Sequence, residues 1–271
     1  MNVSELHVLY EDNHLLAVLK PAGILIQGDK TGDVSLLAVA KQWLIKKYQK
    51  PGNAFLGLVH RLDRPVAGVV VFAKTSKAAN RLAIQFRERT LRKCYLAVIA
   101  GNICPSSETL VHYIRKRPEH RRVQIAVEPF PEGQRAELSY KVLAETDELS
   151  LLRVQLHTGR HHQIRAQFAA IGHPLAGDRK YRSRIILPDR NIALFAAQIS
   201  FMHPTKDSEV TIQAPLPQHW PWTLFPDFRS LKDFGSLPDE VVEILRTVSE
   251  TEPILPPQDT AEFFKFLHQA T

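Results

Sequence analysis

The sequence His60-Arg61-Leu62-Asp63-Arg64 places one carboxylate between two guanidinium groups. Flanking cations favour the ionised form of a carboxylate. An ionised Asp on a rigid mount serves as a nucleophile or a general base. The mount is legible as well: Val69-Val70-Val71-Phe72-Ala73 is a short, unbroken apolar run rich in β-branched residues, the pattern of a buried central strand. Asp63 therefore falls on the loop that enters that strand. A plain Arg–Asp–Arg surface pair at a loop end fits the same spacing.

Two further segments carry reactive side chains. His157-Thr158-Gly159-Arg160-His161-His162-Gln163-Ile164-Arg165 sits at a strand-to-helix junction, where backbone amides at a helix start attract anions. Its three histidines invite a metal reading, but no Cys, Asp or Glu stands beside them to complete a ligand set, so no metal is expected. Arg92-Lys93-Cys94-Tyr95-Leu96-Ala97 reads as a strand, with Tyr95 on the face of Ala97 and Ile99. Tyr95 reads equally as a core aromatic with its hydroxyl satisfied.

The elements that must hold these groups follow from periodicity. Residues 6–19 read as two strands around a turn at Glu11-Asp12-Asn13, and Lys20-Pro21-Ala22-Gly23 as a further turn. Leu36, Leu37, Ala40, Trp43, Leu44 and Tyr48 mark an amphipathic helix over 34–48. Ser76 is the expected cap of a second helix, with Ala78, Leu82 and Phe86 on one face. Residues 104–134 read as basic loops and short strands. Residues 136–143 and 150–157 alternate as an antiparallel pair, with Leu152, Val154 and Leu156 on one face. A helix over 163–171 ends at Gly172, and 192–203 form a late strand region. Residues 215–271 form a Pro/Trp-rich and helical extension, with short helices over 238–248 and 260–268. Trp220 and Trp222 are expected to pack it on a first domain of residues 1–214.

His60 to Gly68 resembles the signature H-R-L-D-x-x-[TV]-[SA]-G of the RluA-type pseudouridine synthases. Gly159 to Arg165 is similar to that family's G-R-x-H-Q-I-R, with His161 at the variable position, and Lys93 to Ala97 to its K-x-Y-x-A strand. The Lys20–Gly23 turn, His173-Pro174-Leu175-Ala176-Gly177-Asp178 with Tyr181, and the late segment ending Phe201-Met202-His203-Pro204 complete the match in family order. Val66-Ala67 replaces the commoner Thr-Ser. The resemblance implies an α+β fold, a mixed and largely antiparallel central sheet with flanking helices and a basic active-site cleft. It implies isomerisation of uridine to pseudouridine in ribosomal or transfer RNA, with no cofactor. Catalytic roles fall to Asp63, to Tyr95 packing on the flipped base, and to Arg165 pairing with the Asp. Arg61, Arg64, Lys93, Arg160, His162 and Gln163 become RNA contacts, and Asp178 reads as a turn residue. The family's RNA-binding S4 domain finds no room before residue 6.

Composition agrees with an RNA partner. The chain has 271 residues, 44% hydrophobic and 23% charged, with a net charge of +7. Arg87, Arg89, Arg92 and Lys93 form one basic group, Arg115 to Arg122 a second, and Arg179 to Arg190 a third. No apolar run is long enough for a bilayer, no secretory leader is visible, and two cysteines make no disulfide framework. A cytoplasmic monomer is expected. A non-catalytic RNA-binding protein explains the charge equally well but gives Asp63, Tyr95 and Arg165 no task. A glycoside or nucleoside hydrolase needs a second carboxylate, which these segments lack.

Overall fold

Strand and helix patterns in the chain convert into elements wherever local caps and apolar faces agree. The computed structural model describes residues 5–225, apart from 118, 121 and 188–190. Among these the elements are β1 (His7–Glu11), β2 (Leu15–Lys20), α1 (Leu36–Tyr48), β3 (Gly57–Leu58), β4 (Ala67–Ala73), α2 (Ser76–Glu88) and β5 (Arg92–Ala100). Then follow β6 (Ser107–Arg115), β7 (Gln124–Ala126), β8 (Gln134–Glu145), β9 (Leu149–Leu156), α3 (Gln163–Ala170), β10 (Leu194–Met202) and β11 (Glu209–Gln213). The chain divides into two units. The described residues of the first run to Leu96 and resume over 191–218; those of the second run from Ala97 to Leu187 and resume at His219.

The first unit orders its strands β1-β2-β4-β10, with β3 on β4 and β11 on β10. All these pairings are antiparallel except β4 with β10, which makes the sheet mixed. Residues 68–73 of β4 are all buried, as the apolar run demands. Ser35 caps α1 by accepting from the Ala38 amide. Leu36, Val39, Ala40 and Leu44 of α1 bury against Leu16 and Val18 of β2 and Val70 and Phe72 of β4. Each buried Leu, Val or Phe among them contributes about 1.5–3 kcal/mol. Thr75, not Ser76, caps α2: its hydroxyl accepts from the Ala78 amide at 3.2 Å, because residue 75 still has extended backbone whereas Ser76 is already helical.

The second unit orders its strands β9-β8-β6-β7, antiparallel throughout. Leu152 and Val154 are fully buried and Leu156 nearly so, as their alternation predicts. The stretch expected to be loops and short strands contains the nine-residue β6, whose buried Leu110, His112 and Ile114 alternate with partly exposed neighbours. A buried histidine masks the alternation there; its ring meets the Gln167 amide of α3 at 3.1 Å. Gly172, at φ +86°, follows α3 in the left-handed conformation expected of a helix stop. Trp222 is buried and Trp220 is exposed. The helices expected over 238–248 and 260–268 lie outside the described residues. No described helix is long and apolar enough to cross a membrane.

Candidate active site

In the first unit the loop carrying Asp63 is fastened from behind. The Val66 amide donates to the Asp63 carbonyl at 3.0 Å, closing a turn around the acid. Lys20, wholly buried at the end of β2, sends its ammonium to the carbonyls of Pro21 (3.0 Å), Arg64 (3.0 Å) and Val66 (2.6 Å). Burial pulls the Lys20 pKa down to about 7, against the opposing pull of the Asp63 charge. The Gly23 amide donates to the Arg64 carbonyl, and Arg64 Nε returns a bond to the Gly23 carbonyl. The Lys-Pro-Ala-Gly turn and the Asp63 loop are thus one backbone assembly. Lys20→Met keeps the stem and removes all three donors. We expect it to lower unfolding free energy by about 2 kcal/mol, read from urea melts.

Gly68 explains the end of the same motif. Its φ is +125°, and a Cβ there would lie 2.2 Å from the Ala196 carbonyl oxygen. Only glycine lets β4 approach β10 so closely at the exit of the Asp63 loop.

His60 staples the start of the loop. Its Nε2 accepts from the Val71 amide at 2.9 Å, so Nδ1 carries the proton, and its ring stacks on Phe86 with centroids 5.0 Å apart. Burial, helped by the charge of Lys93, holds its pKa down to about 3 from 6.5. The unfolded chain therefore binds a proton that the native state refuses as pH falls from 6.5 toward 3. The neutral ring's stability is complete above that window and is lost through it, at no more than about 1.4 kcal/mol per pH unit. Thermal melts of His60→Phe, which keeps a ring but cannot titrate, should show a flatter acid limb than the parent.

Tyr95 and Lys93 alternate onto one face of β5. Tyr95 is buried and its phenol pKa is raised, by burial first and then by the negative charges of Asp63 and Cys94. The Asp63 carboxylate therefore lies within electrostatic reach of the Tyr95 hydroxyl. Lys93 is brought down to about 8 by burial and by Arg89. Arg61 is exposed. Arg64 is exposed too and bonds Asp33 at 2.8 Å.

The second unit holds the other segment. Arg165, buried on α3, makes a two-pronged pair with Asp178: Nε to Oδ2 at 2.7 Å and an Nη to Oδ1 at 2.9 Å. Its guanidinium also stands 5.3 Å over the Tyr181 ring. Asp178 does hold a turn, since its carbonyl accepts from the Tyr181 and Ser183 amides, but its carboxylate is the buried anchor of Arg165. Sequence reading missed that task; the signal was the Gly-Asp of the His173–Asp178 motif, read only for its backbone. Gln163 is spent inside the segment: its Oε1 accepts from Thr158 Oγ1 (2.7 Å) and the Arg160 amide (2.9 Å), and its Nε2 donates to the Glu137 carbonyl (3.0 Å). His162 is buried with Nδ1 3.0 Å from the Tyr181 hydroxyl, and Arg160 Nε donates to the Arg135 carbonyl. The arrangement offers a rigidly mounted carboxylate beside a phenol in one unit, and a rigidly mounted guanidinium in the other.

Residues 14–170 match the family described as RNA pseudouridylate synthase. The uncharacterized RNA pseudouridine synthase YhcT of Bacillus subtilis is 37% identical over 219 residues, 79% of this chain and 69% of that protein. Ribosomal large subunit pseudouridine synthase C of Vibrio parahaemolyticus is 32% identical over 218 residues, 77% of this chain and 65% of that protein. The chain thus spans about two thirds of the length of these relatives. The solved structure of human RNA pseudouridylate synthase domain containing 1 superposes with a TM-score of 0.65 at 26% identity, covering 94% of this chain and 99% of that one.

Proposed function

This chain belongs to the RNA pseudouridylate synthase family and is an RNA pseudouridine synthase, an isomerase, and we propose that Asp63 is its essential catalytic group. The observation that carries this reading is the mounting of Asp63: an acid on a turn fixed by Lys20 and Gly23, opening into a buried strand, with Tyr95 in reach of its charge. The reaction breaks the bond between uracil N1 and C1′, turns the base, and joins C5 to C1′. C5 gives up a proton and N1 gains one, so the product is an isomer and no co-reactant is consumed. Asp63 acts by adding to the ribosyl or base carbon or by taking a sugar proton; each route needs the carboxylate ionised. Arg165 supplies the matching guanidinium, and its clamp on Asp178 keeps that group oriented.

The uridine must leave its stack to meet a recessed acid, at a cost of a few kcal/mol. Exposed Arg61 fills the vacated place, and Tyr95 packs on the extruded ring. Lys93 and Arg160 meet phosphates, while Arg64, His162 and Gln163 hold the loops that present them. Ribosomal RNA is the favoured substrate, since a relative matched over 77% of this chain is named for the large ribosomal subunit. The enzyme works in the cytoplasm as a monomer; that neither Cys94 nor Cys104 is in a disulfide suits a reducing compartment.

The test is pseudouridine mapping across the RNA of a strain lacking the gene, by primer-extension stops at carbodiimide adducts. Stops that vanish in the deletion and return with the wild-type gene name the target. An unchanged stop pattern in the deletion would remove the reading.

A further inference from the structure

Beside the Arg165 clamp the second unit has a basic surface hollow with an aromatic ring on its rim. Arg115, Lys116, Arg160 and His161, with Gly159 and Glu132, line an open hollow of about 340 Å³. Three permanent cations face one carboxylate, and that carboxylate, Glu132, is tied to Arg115 at 2.6 Å. The exposed ring of His161 lies nearly flat on that of His162, with centroids 3.9 Å apart and planes at 22°.

What lies under that ring is unusually fixed. His162 has a left-handed backbone, φ 54°, uncommon for a residue with a Cβ. Its ring bonds the Tyr181 hydroxyl and meets the Tyr181 ring edge-on at 5.7 Å. The Val123 amide donates to the same hydroxyl. Tyr181 in turn lies beneath Arg165, which Asp178 clamps. A column of packed groups thus runs from a buried ion pair to one exposed aromatic face at the rim of a basic hollow. A flat ring backed by rigid groups and flanked by cations is what an unpaired nucleobase and its phosphates recognise. An acidic peptide would use the cations but not the flat ring.

We propose that His161 is a stacking platform for an unpaired base flanking the target uridine, with Arg115, Lys116 and Arg160 taking the phosphates of that strand. The proposal rests on the RNA-substrate reading and adds a determinant of which RNA is chosen.

The test is fluorescence anisotropy of the full chain with a labelled single-stranded uridine decamer and with a uridine–adenosine duplex of the same length. The parent should prefer the single strand. His161→Ala should weaken single-strand binding about tenfold, whereas His161→Phe should stay within about twofold of the parent. Arg115→Gln with Lys116→Gln should reduce the slope of log affinity against log salt by about 1.4. Equal binding by His161→Ala and the parent would overturn the proposal, as would a Phe variant as weak as the Ala variant. If the parent bound neither RNA, the substrate reading itself would fall with it. Because the readout is binding, it is independent of whether Asp63 proves essential to turnover.

Discussion

Asp63→Asn is expected to give a folded protein that binds RNA and isomerises nothing measurable, a loss of about 10³-fold or more. The amide has the shape of the carboxylate but neither its charge nor its basicity. The grip of Lys20 and Gly23 on this loop runs through main-chain carbonyls. Lys20 grips the carbonyls of Arg64 and Val66, Gly23 grips Arg64, and the Val66 amide bonds the Asp63 main-chain carbonyl. Stability should therefore change little, and phosphate contacts made elsewhere should preserve affinity. Release of tritium from C5 of labelled uridine in substrate RNA, under single-turnover conditions, measures the step directly. An Asn variant that keeps turnover within about tenfold of the parent would strike Asp63 from the mechanism, since general catalysis by a lost base cannot cost so little.

The parts of this molecule that were readable in the chain are those set by neighbours in sequence. The run from Val69 to Ala73 predicts β4 because burial on both faces needs apolar side chains at every position. Leu152, Val154 and Leu156 predict the face of β9 in the same way. Asp63, Tyr95 and Arg165 stand out because the segments that carry them resemble one family's motifs in the same order along the chain. What could not be read is polar partnership over long separations. Nothing near Lys20 says that its ammonium will meet carbonyls more than forty positions away. Gln163 looks like one more polar group in a basic segment, yet its amide closes the turn that presents Arg160. Trp220 and Trp222 are alike in composition, and only the packing separates a buried ring from an exposed one. His112 hid β6 because a buried histidine breaks apolar alternation until its amide partner on α3 is known.

Asp178 is the sharpest instance, and its replacement should have the largest effect on stability. Asp178→Ala would leave the Arg165 guanidinium, 5% exposed as a residue, without the two bonds that now compensate its burial. Removing one partner of such a pair costs about 3–5 kcal/mol, because the remaining buried charge loses its two-pronged compensation. The column above it should loosen as well, since Tyr181 packs under Arg165 and holds His162. Urea unfolding measures the first effect and turnover per folded molecule the second. The double variant Arg165→Met with Asp178→Leu separates them. Replacing both charges by apolar groups of similar volume removes the desolvation cost along with the attraction, so stability should return to within about 1–2 kcal/mol of the parent. Activity should not return, because the guanidinium itself is gone. A double variant that regained both would mean that Arg165 serves packing alone. One that regained neither would mean that the pair does more for the second unit than cancel buried charge.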